Sequence, residues 1–426
     1  MARLQILRAL RHRNYRLFFG GQFISLTGTW MQLVAEAWLV YRLTGSSTLL
    51  GVAAFCSQIP IFVLSPIGGA AADRLNRHRI IVATQLASMV LPLVLAALTL
   101  SGHVRVWQVL VLATLLGVVN AFDIPARQSF IVDMVGREDL LNAIALNSAM
   151  VNGARVLGPS VAGLLVAAVG EGWCFLLNGL SYVGVVAGLL MMNRTAADDA
   201  RRPHAGSAAG DIVDGFRFVL TTAPVRAVLL LVGIVSFAGM PYTVLMPVFA
   251  DSILHGGALG LGLLMAISGL GAFGGALALA ARREVRGLGR WVAVSAVTFG
   301  ATLIVFSLSR AFWLSAAILI PVGAAMIVQL AASNTLLQAM VPDELRGRVM
   351  ALYSMMFMGM APFGALAAGA LAERLGAPHT VMAGGALSIV AGLLFARVLP
   401  SIRAEARQLI AHGLAGDAGS VGRPVT

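Results

Sequence analysis

The chain has few charged residues and almost no cysteine. Only 11% of its 426 residues are charged, two are cysteines, and all 30 basic residues are arginines. Cys56 and Cys174 lie in apolar segments, so we expect no disulfide framework. No His/Cys cluster has metal-ligand spacing, and no nucleophile elbow or phosphate-binding loop is present. We therefore predict no metal, no other cofactor and no enzyme activity.

Apolar sequence is abundant instead. The chain is 59% hydrophobic with a mean hydropathy of +0.88, too apolar for a water-facing shell. A helix needs roughly 20 apolar residues to cross a ~30 Å hydrocarbon core. Twelve stretches, here called spans 1 to 12, are long enough: 15–41, 47–72, 79–100, 107–132, 143–169, 173–192, 225–250, 258–281, 291–309, 311–340, 349–372 and 379–399. They predict an all-α membrane protein with twelve transmembrane helices, and span 1 is too long for a cleaved signal peptide.

The net charge of +12 is concentrated in alternate loops. The loops of one parity carry Arg3, Arg8, Arg11, Arg13, Arg16, Arg74, Arg77, Arg79, Arg194, Arg201, Arg202, Arg217, Arg282, Arg283, Arg286 and Arg290. The other loops carry only Arg42, Arg105, Arg310 and Arg374. This positive-inside pattern predicts that both termini are cytoplasmic. It also explains the charge without a nucleic-acid partner.

The two halves of the sequence repeat each other with an offset of 206 residues. Gly153, Gly158 and Gly163 return as Gly359, Gly364 and Gly369, and Gly68-Gly69 return as Gly274-Gly275. The same offset pairs Met134 with Met340, Glu138 with Glu344, Ser148 with Ser354 and Met150 with Met356. We interpret this register as a duplication of about 200 residues. Duplicated halves are typical of secondary transporters, in which the substrate site lies between the repeats.

The repeat and the polar segments together predict four regions. Two pseudo-symmetric six-helix bundles are expected at 1–192 and 225–400. Between them, 193–224 reads as a cytoplasmic linker that includes a short interfacial helix near 211–220, because its apolar residues share one helical face. The cytoplasmic tail, 401–426, is expected to be helical only briefly before becoming disordered.

The loop between spans 2 and 3 resembles a known signature. It reads Gly69-Ala-Ala-Ala-Asp73-Arg74-Leu-Asn76-Arg77-His-Arg. This resembles Gly-x-x-x-Asp-Arg-x-Gly-Arg-Arg of the major facilitator superfamily. Gly69 is expected to admit a neighbouring helix, and Asp73 to accept from backbone N–H groups at a neighbouring helix start. Asn76 replaces the usual glycine and tolerates the left-handed conformation. The expected role of the motif is gating.

Span 5 carries a second resemblance. Its segment Gly153-Ala-Arg155-Val-Leu-Gly158-Pro159-Ser-Val-Ala-Gly163 is similar to the motif of antiporters in this superfamily. Ala154, Gly158 and Ala162 form a small-residue ridge that allows close helix contact, and Pro159 predicts a bend or local loosening.

The run Asp123-Ile-Pro-Ala-Arg127-Gln-Ser-Phe resembles the branch of enterobactin exporters and macrolide efflux proteins. The resemblance covers nearly the whole chain. It implies the major facilitator fold, the bacterial cytoplasmic (inner) membrane, and proton-coupled export of amphipathic small molecules such as drugs or a siderophore by alternating access. We expect a monomer in the lipid bilayer, with a small-molecule substrate and protons as its partners. An importer or a lipid or lysophospholipid flippase of the same fold remains open.

Several polar side chains fall inside the predicted spans. On span 1 they recur at spacings of 3, 4, 3 and 4, which places them on one helical face: Gln22, Ser25, Thr29, Gln32 and Glu36. Because an ionised side chain at mid-bilayer costs about 2.5–3.5 kcal/mol, such a stripe is expected to face a wet cavity. The remaining substrate-cavity candidates are Asn120, Arg127, Asn152, Arg155, Phe237, Tyr242 and Met356.

The proton-coupling candidates are Glu36 and Asp123. Glu36 has no cationic partner on its stripe, so it is the preferred carrier, but a plain position near the headgroups is an alternative. Asp123 and Arg127 at i, i+4 could instead form a purely structural ion pair that locks span 4. Arg155 is either an anchor for an anion or a partner of Asp123, and the span 11 methionines either line a pocket or simply pack.

The buried charge is confined to the first half. The 206-residue offset places Gln329 opposite Asp123, Ser333 opposite Arg127, Ala361 opposite Arg155, Leu279 opposite Asp73 and Tyr242 opposite Glu36. The N-terminal bundle is therefore predicted to carry coupling and polar recognition, and the C-terminal bundle to supply an apolar wall.

Overall fold

A computed structural model describes residues 7–136, 138–192, 216–282 and 287–420. These residues contain no β-strand and form twelve long helices, as predicted. The helices are α1 Arg13–Thr44, α2 Ser47–Arg74, α3 Arg77–Leu100, α4 Val106–Val135, α5 Leu140–Val169, α6 Glu171–Leu190, α7 Ala223–Ile253, α8 Gly257–Ala280, α9 Leu288–Leu308, α10 Phe312–Met340, α11 Leu345–Leu375 and α12 Ala377–Ser420. A short 3-10 helix, Arg8–Arg11, precedes α1.

Eleven of these helices are long and apolar enough to cross a membrane, and α1 is the exception. Its 32 residues are ample for the ~30 Å core. The five polar residues of its stripe lower its mean hydropathy instead. The twelfth span therefore depends on how α1 hides that stripe.

Two helices are interrupted where proline removes a backbone N–H. Helix α7 contains π-helical turns at Val235–Gly239 and Phe249–Ile253, and α11 contains one at Met355–Gly359. Pro241 and Pro362 cannot donate to the carbonyl four residues earlier, which lies within the preceding π turn in both cases. By contrast, α5 continues unbroken through Pro159, so the loosening predicted there is not observed.

The chain divides into two compact units. The first comprises Met1–His204 and Val244–Gly269, and the second comprises Ala205–Thr243 and Leu270–Thr426. Within the first unit, α1 packs against α5 and α6, α2 against α4, and α3 against α4 and α6. Within the second, α7 packs against α11 and α12, and α9 against α10 and α12. Helices related by the 206-residue repeat therefore pack against equivalent neighbours in both units.

Repeated glycines make the same close approach in each unit. A Cβ on Gly158 would lie 2.5 Å from Cβ of Trp30 on α1, and a Cβ on Gly364 would collide with the carbonyl oxygen of Phe237 on α7. The prediction for Gly69 was wrong, because nothing lies within 4 Å of a Cβ placed there. Its neighbour Gly68 makes the contact, against the backbone of Ala121 on α4.

The structure describes only part of the predicted interfacial helix, and it extends the helix of the tail beyond the prediction. Residues 216–221 are helical, but 211–215 of the predicted interfacial helix lie outside the described residues. Helix α12 continues through Pro400 to Ser420, so the tail is helical for longer than predicted. The boundaries 1–192, 193–224, 225–400 and 401–426 remain predictions.

Asp139, between α4 and α5, anchors the start of the chain. It is only 2% exposed and lies 2.6 Å from Nε of Arg8, 2.8 Å from Nη2 of Arg11 and 2.8 Å from Nε2 of His12. The hydrogen bond with His12, followed by the charges of Arg11 and Arg8, lowers the pKa of Asp139 below its ordinary value of 3.8. Arg8 and Arg11 are therefore ion-paired within the protein.

Asp139→Asn should release the Arg8–Arg11 helix, because Arg8, Arg11 and His12 lose their shared carboxylate. A spin label at Leu7→Cys, on a background without Cys56 and Cys174, should become several-fold more mobile. Since the folded pKa is lowered, the wild-type anchor should hold from neutral pH through 3.8 and loosen only as pH falls through the lowered value. The exposed neighbour Glu138 gives the control, Glu138→Gln. Unchanged mobility in Asp139→Asn would contradict the anchoring role.

Candidate functional site

The polar stripe of α1 is mostly hidden. Gln22 is 3% exposed, Ser25 1% and Gln32 5%, whereas Thr29 and Glu36 are half-buried. The expectation that the whole stripe faces a wet cavity is therefore wrong for its three buried members.

Helix α6 supplies partners for the stripe. Nδ2 of Asn178 donates to Oε1 of Gln32 at 2.6 Å, and the hydroxyls of Thr29 and Tyr182 are 3.2 Å apart. Gly28 permits this approach, since a Cβ there would lie 2.5 Å from Oδ1 of Asn178. Neither Asn178 nor Tyr182 was predicted from the sequence. Their i, i+4 spacing on one face of span 6 is the signal that would have revealed them.

Glu36 ends the chain of hydrogen bonds that begins at Asn178. Nε2 of Gln32 donates to Oε2 of Glu36 at 3.4 Å, and Glu36 has no ion pair within the described part of the chain. Arg42, in the last turn of α1, pairs with another carboxylate, because its Nε lies 2.6 Å from Oε1 of Glu171. Glu36 is therefore a half-buried carboxyl with a single neutral hydrogen-bond partner.

Asp123 is held far more firmly. It is 2% exposed, and its Oδ2 lies 3.1 Å from Nε of Arg127. Its Oδ1 accepts from Oγ1 of Thr84 and Nε2 of Gln85, both at 2.9 Å. The structural ion pair that the spacing left open is thus present. Thr84 and Gln85, with Ser88, form a buried polar turn of α3 that the sequence analysis overlooked.

The other polar candidates of the first unit have separate surroundings. The guanidinium of Arg155 lies over the ring of Trp30, 5.6 Å from its centroid. Nδ2 of Asn152 donates to the carbonyl of Ser148 at 2.9 Å, and Asn120 is half-buried. These side chains are partly accessible, unlike Asp123.

In the loop motif, Arg77 is the organising residue. Its Nε donates to the carbonyl of Ala72 at 3.1 Å, and its Nη1 lies 3.2 Å from the carbonyl of Ser129 and 3.3 Å from Oδ2 of Asp133. These contacts join the ends of α2 and α4, and Arg77 is only 15% exposed.

The acid and the asparagine of the motif behave differently from expectation. Asp73 is 69% exposed and lies 3.6 Å from Arg77, so the predicted acceptance from helix-start N–H groups is not observed among the described residues. Asn76 has φ of −66°, not a left-handed conformation. Its side chain instead accepts from the N–H of Arg79 at 3.0 Å and caps α3, because asparagine is among the best N-cap residues. Arg74 is exposed.

The antiporter-like motif places α5 between two neighbours. The ridge of Ala154, Gly158 and Ala162 is buried, as predicted. Gly158 faces α1, whereas a Cβ on Gly163 would lie 3.0 Å from Cα of Gly262 on α8. Gly153 is less constrained, because its nearest atom, on Phe23, is 3.5 Å from the Cβ position.

The aromatic and methionine candidates of the second unit mainly pack. Tyr242 is 2% exposed and meets Phe299 edge to face at 6.2 Å. Sδ of Met356 lies 3.2 Å from the position of a Cβ on Gly233. Phe237 and Met356 are half-buried. For Met356, the packing interpretation is the one that the contacts support.

The second unit is not a uniformly apolar wall. Gln329 and Ser333 on α10 and Ser236 on α7 are fully buried. Both polar atoms of Gln329 and both serine hydroxyls lack a hydrogen bond within the described part of the chain. Gln329 and Ser333 occupy the repeat positions of Asp123 and Arg127, so polarity without charge has been kept there.

Comparison with known proteins agrees with this architecture. The family described as transmembrane secretion effector matches residues 5–415. The staphyloferrin A transporter of Staphylococcus aureus is 24% identical over 89% of this chain and 95% of its own length. The multidrug efflux pump Tap of Mycolicibacterium fortuitum is 27% identical over 89% and 95%, and the enterobactin exporter EntS of Shigella boydii is 25% identical over 92% and 93%.

Solved structures show the same fold. The nucleoside transporter NupG matches with a TM-score of 0.73 at 12% identity, over 91% of this chain and 99% of that one. The D-xylose-proton symporter matches with a TM-score of 0.69 at 13% identity, over 91% and 96%. The chain therefore belongs to the transmembrane secretion effector family of the major facilitator superfamily, and it is a multi-pass membrane transporter rather than an enzyme.

Proposed function

We propose that this chain exports amphipathic small molecules, such as drugs or a siderophore, in exchange for protons by alternating access. Two relatives are named as an efflux pump and an exporter, and they align over about nine-tenths of the chain. The arginine asymmetry supports a bacterial cytoplasmic membrane with both termini in the cytoplasm. The active form is a monomer.

The chain from Asn178 through Gln32 to Glu36 carries the coupling proposal. A proton carrier must exchange its proton, so it needs partial access and no fixed counter-charge. Glu36 meets both conditions, because it is half-buried and has no ion pair within the described part of the chain. Its hydrogen bond from Gln32 is long, at 3.4 Å. A neutral amide can stay beside either protonation state of the carboxyl. Protonation of Glu36 then favours the rearrangement that releases substrate.

Asp123 is assigned a structural role. Its carboxylate is saturated by Arg127, Thr84 and Gln85, so taking up a proton would break an ion pair and a buried hydrogen-bond set. The ion pair and hydrogen bonds of Asp123 hold α3 against α4, and they stay intact during each transport event.

Recognition is assigned to partly accessible groups. Arg155 stacked on Trp30 offers a cation for a carboxylate or another anionic group of the substrate. The half-buried Phe237, within the first π turn of α7, offers a separate apolar contact, whereas Met356 packs inside its own unit.

Glu36→Gln should reduce the proton-driven accumulation of dye and siderophore probes at least about tenfold. The accumulation is measured in inverted vesicles under an imposed pH gradient. Exchange of labelled for unlabelled substrate without a gradient should persist, because the amide mimics the protonated carboxyl. Glu138→Gln, an exposed loop carboxyl, should leave both activities intact. If Glu36→Gln and Asp123→Asn both keep full proton-dependent efflux, neither residue couples transport.

Asp123→Asn should instead lower stability by about 3 kcal/mol, because it leaves Arg127 without its partner. Thr84→Val should cost only about 1 kcal/mol, the value of one hydrogen bond. The double variant Asp123→Asn/Arg127→Gln should recover part of the loss. Thermal unfolding in detergent measures all three, and a wild-type unfolding temperature for Asp123→Asn would overturn the structural role.

A further inference from the structure

A groove opens on the second unit between α8, α9 and α10, with a volume of about 490 Å³. We call it the α8–α10 groove. Its walls include Gly274 and Ala278 on α8 and Val294 and Thr298 on α9, and its floor includes Ala324 and Val328 on α10. The floor is deep because α8 and α10 touch through glycine: a Cβ on Gly275 would lie 2.7 Å from the carbonyl oxygen of Ala324.

The shape of the groove suits a hydrocarbon chain. From Arg290 to Thr298 it follows α9 for eight residues, or about 12 Å at 1.5 Å per residue, close to the ~15 Å that one leaflet contributes to the hydrocarbon core. Of the side chains that line it, Val294 is 64% exposed and Trp291 is 38% exposed. The groove is therefore open and mainly apolar along the surface of the unit.

One end of the groove is cationic. Arg290, on the first turn of α9, lines the groove and is exposed. Next to it, the guanidinium of Arg282 lies 4.8 Å from the centroid of Trp291, which also lines the groove. None of the groove residues carries a carboxylate.

We propose that the α8–α10 groove binds one anionic phospholipid of the cytoplasmic leaflet. The phosphate pairs with the guanidinium of Arg290, Trp291 lies at the level of the headgroup boundary, and an acyl chain fills the groove towards Thr298. Tryptophan and arginine are the residues that anchor at that boundary, and basic sites between membrane helices attract anionic headgroups. A free phosphate would satisfy Arg290 but leave the apolar length of the groove unfilled.

The test uses fluorescence of Trp291 in a variant whose other tryptophans are phenylalanine: Trp30, Trp38, Trp107, Trp173 and Trp313. Phosphatidylglycerol with brominated chains should quench at about fivefold lower mole fraction than phosphatidylcholine with the same chains, as expected for one arginine at the surface. Arg290→Gln should abolish this preference and Arg290→Lys should retain it. Ala324→Leu, which fills the floor, should reduce quenching by both lipids.

Arg397→Gln is the matched control, because Arg397 is an exposed arginine of the same unit that does not line the groove. It should keep the fivefold preference. Equal quenching by the two lipids, or a preference that survives Arg290→Gln, would overturn the proposal. Displacement of the lipid by millimolar inorganic phosphate would assign the site to a free anion instead. If the single-tryptophan variant does not fold, native mass spectrometry of lipid retained by the otherwise unaltered chain and by Arg290→Gln gives the same comparison.

Discussion

A polar side chain inside a bilayer must find its partner within the protein, since hydrocarbon offers none. Most of this structure follows from that constraint. Asp123 is paired with Arg127 and with two donors of α3, and Gln32 is paired with Asn178 of α6. Two polar side chains are exceptions, because they lack a strong partner within the described residues. Glu36 has only a long bond to a neutral amide, and Gln329 has none within the described residues.

The duplicated architecture keeps packing and lets polarity diverge. Gly158 and Gly364 bring equivalent helix pairs together, because a side chain at either position would strike the neighbouring backbone. The pair Asp123 and Arg127 became Gln329 and Ser333, which retains hydrogen-bonding groups and removes charge. One unit therefore contains a buried ion pair, whereas the other contains uncharged polar side chains at the equivalent positions.

The sequence was sufficient for the helices, because hydrophobic length and a 206-residue register are properties of the chain itself. It was insufficient where a contact depends on which face meets which neighbour. The stripe of α1 was recognised, but its burial by Asn178 and Tyr182 depends on the approach permitted by Gly28. Asn76 was assigned a left-handed turn because the family has glycine there, although the residue caps α3. The π turns could not be foreseen, because proline in α5 leaves its helix intact and proline in α7 does not.

The weak hydropathy of α1 has a consequence for biogenesis. Gln32 accepts from Asn178 and the hydroxyl of Thr29 lies 3.2 Å from that of Tyr182, so two residues of the stripe find partners on α6, which is synthesised more than a hundred residues later. Among the twelve long helices described, α1 is the one whose composition alone does not qualify it as a membrane span. A helix of low hydropathy thus completes part of its hydrogen bonding on a helix from the far end of the same unit.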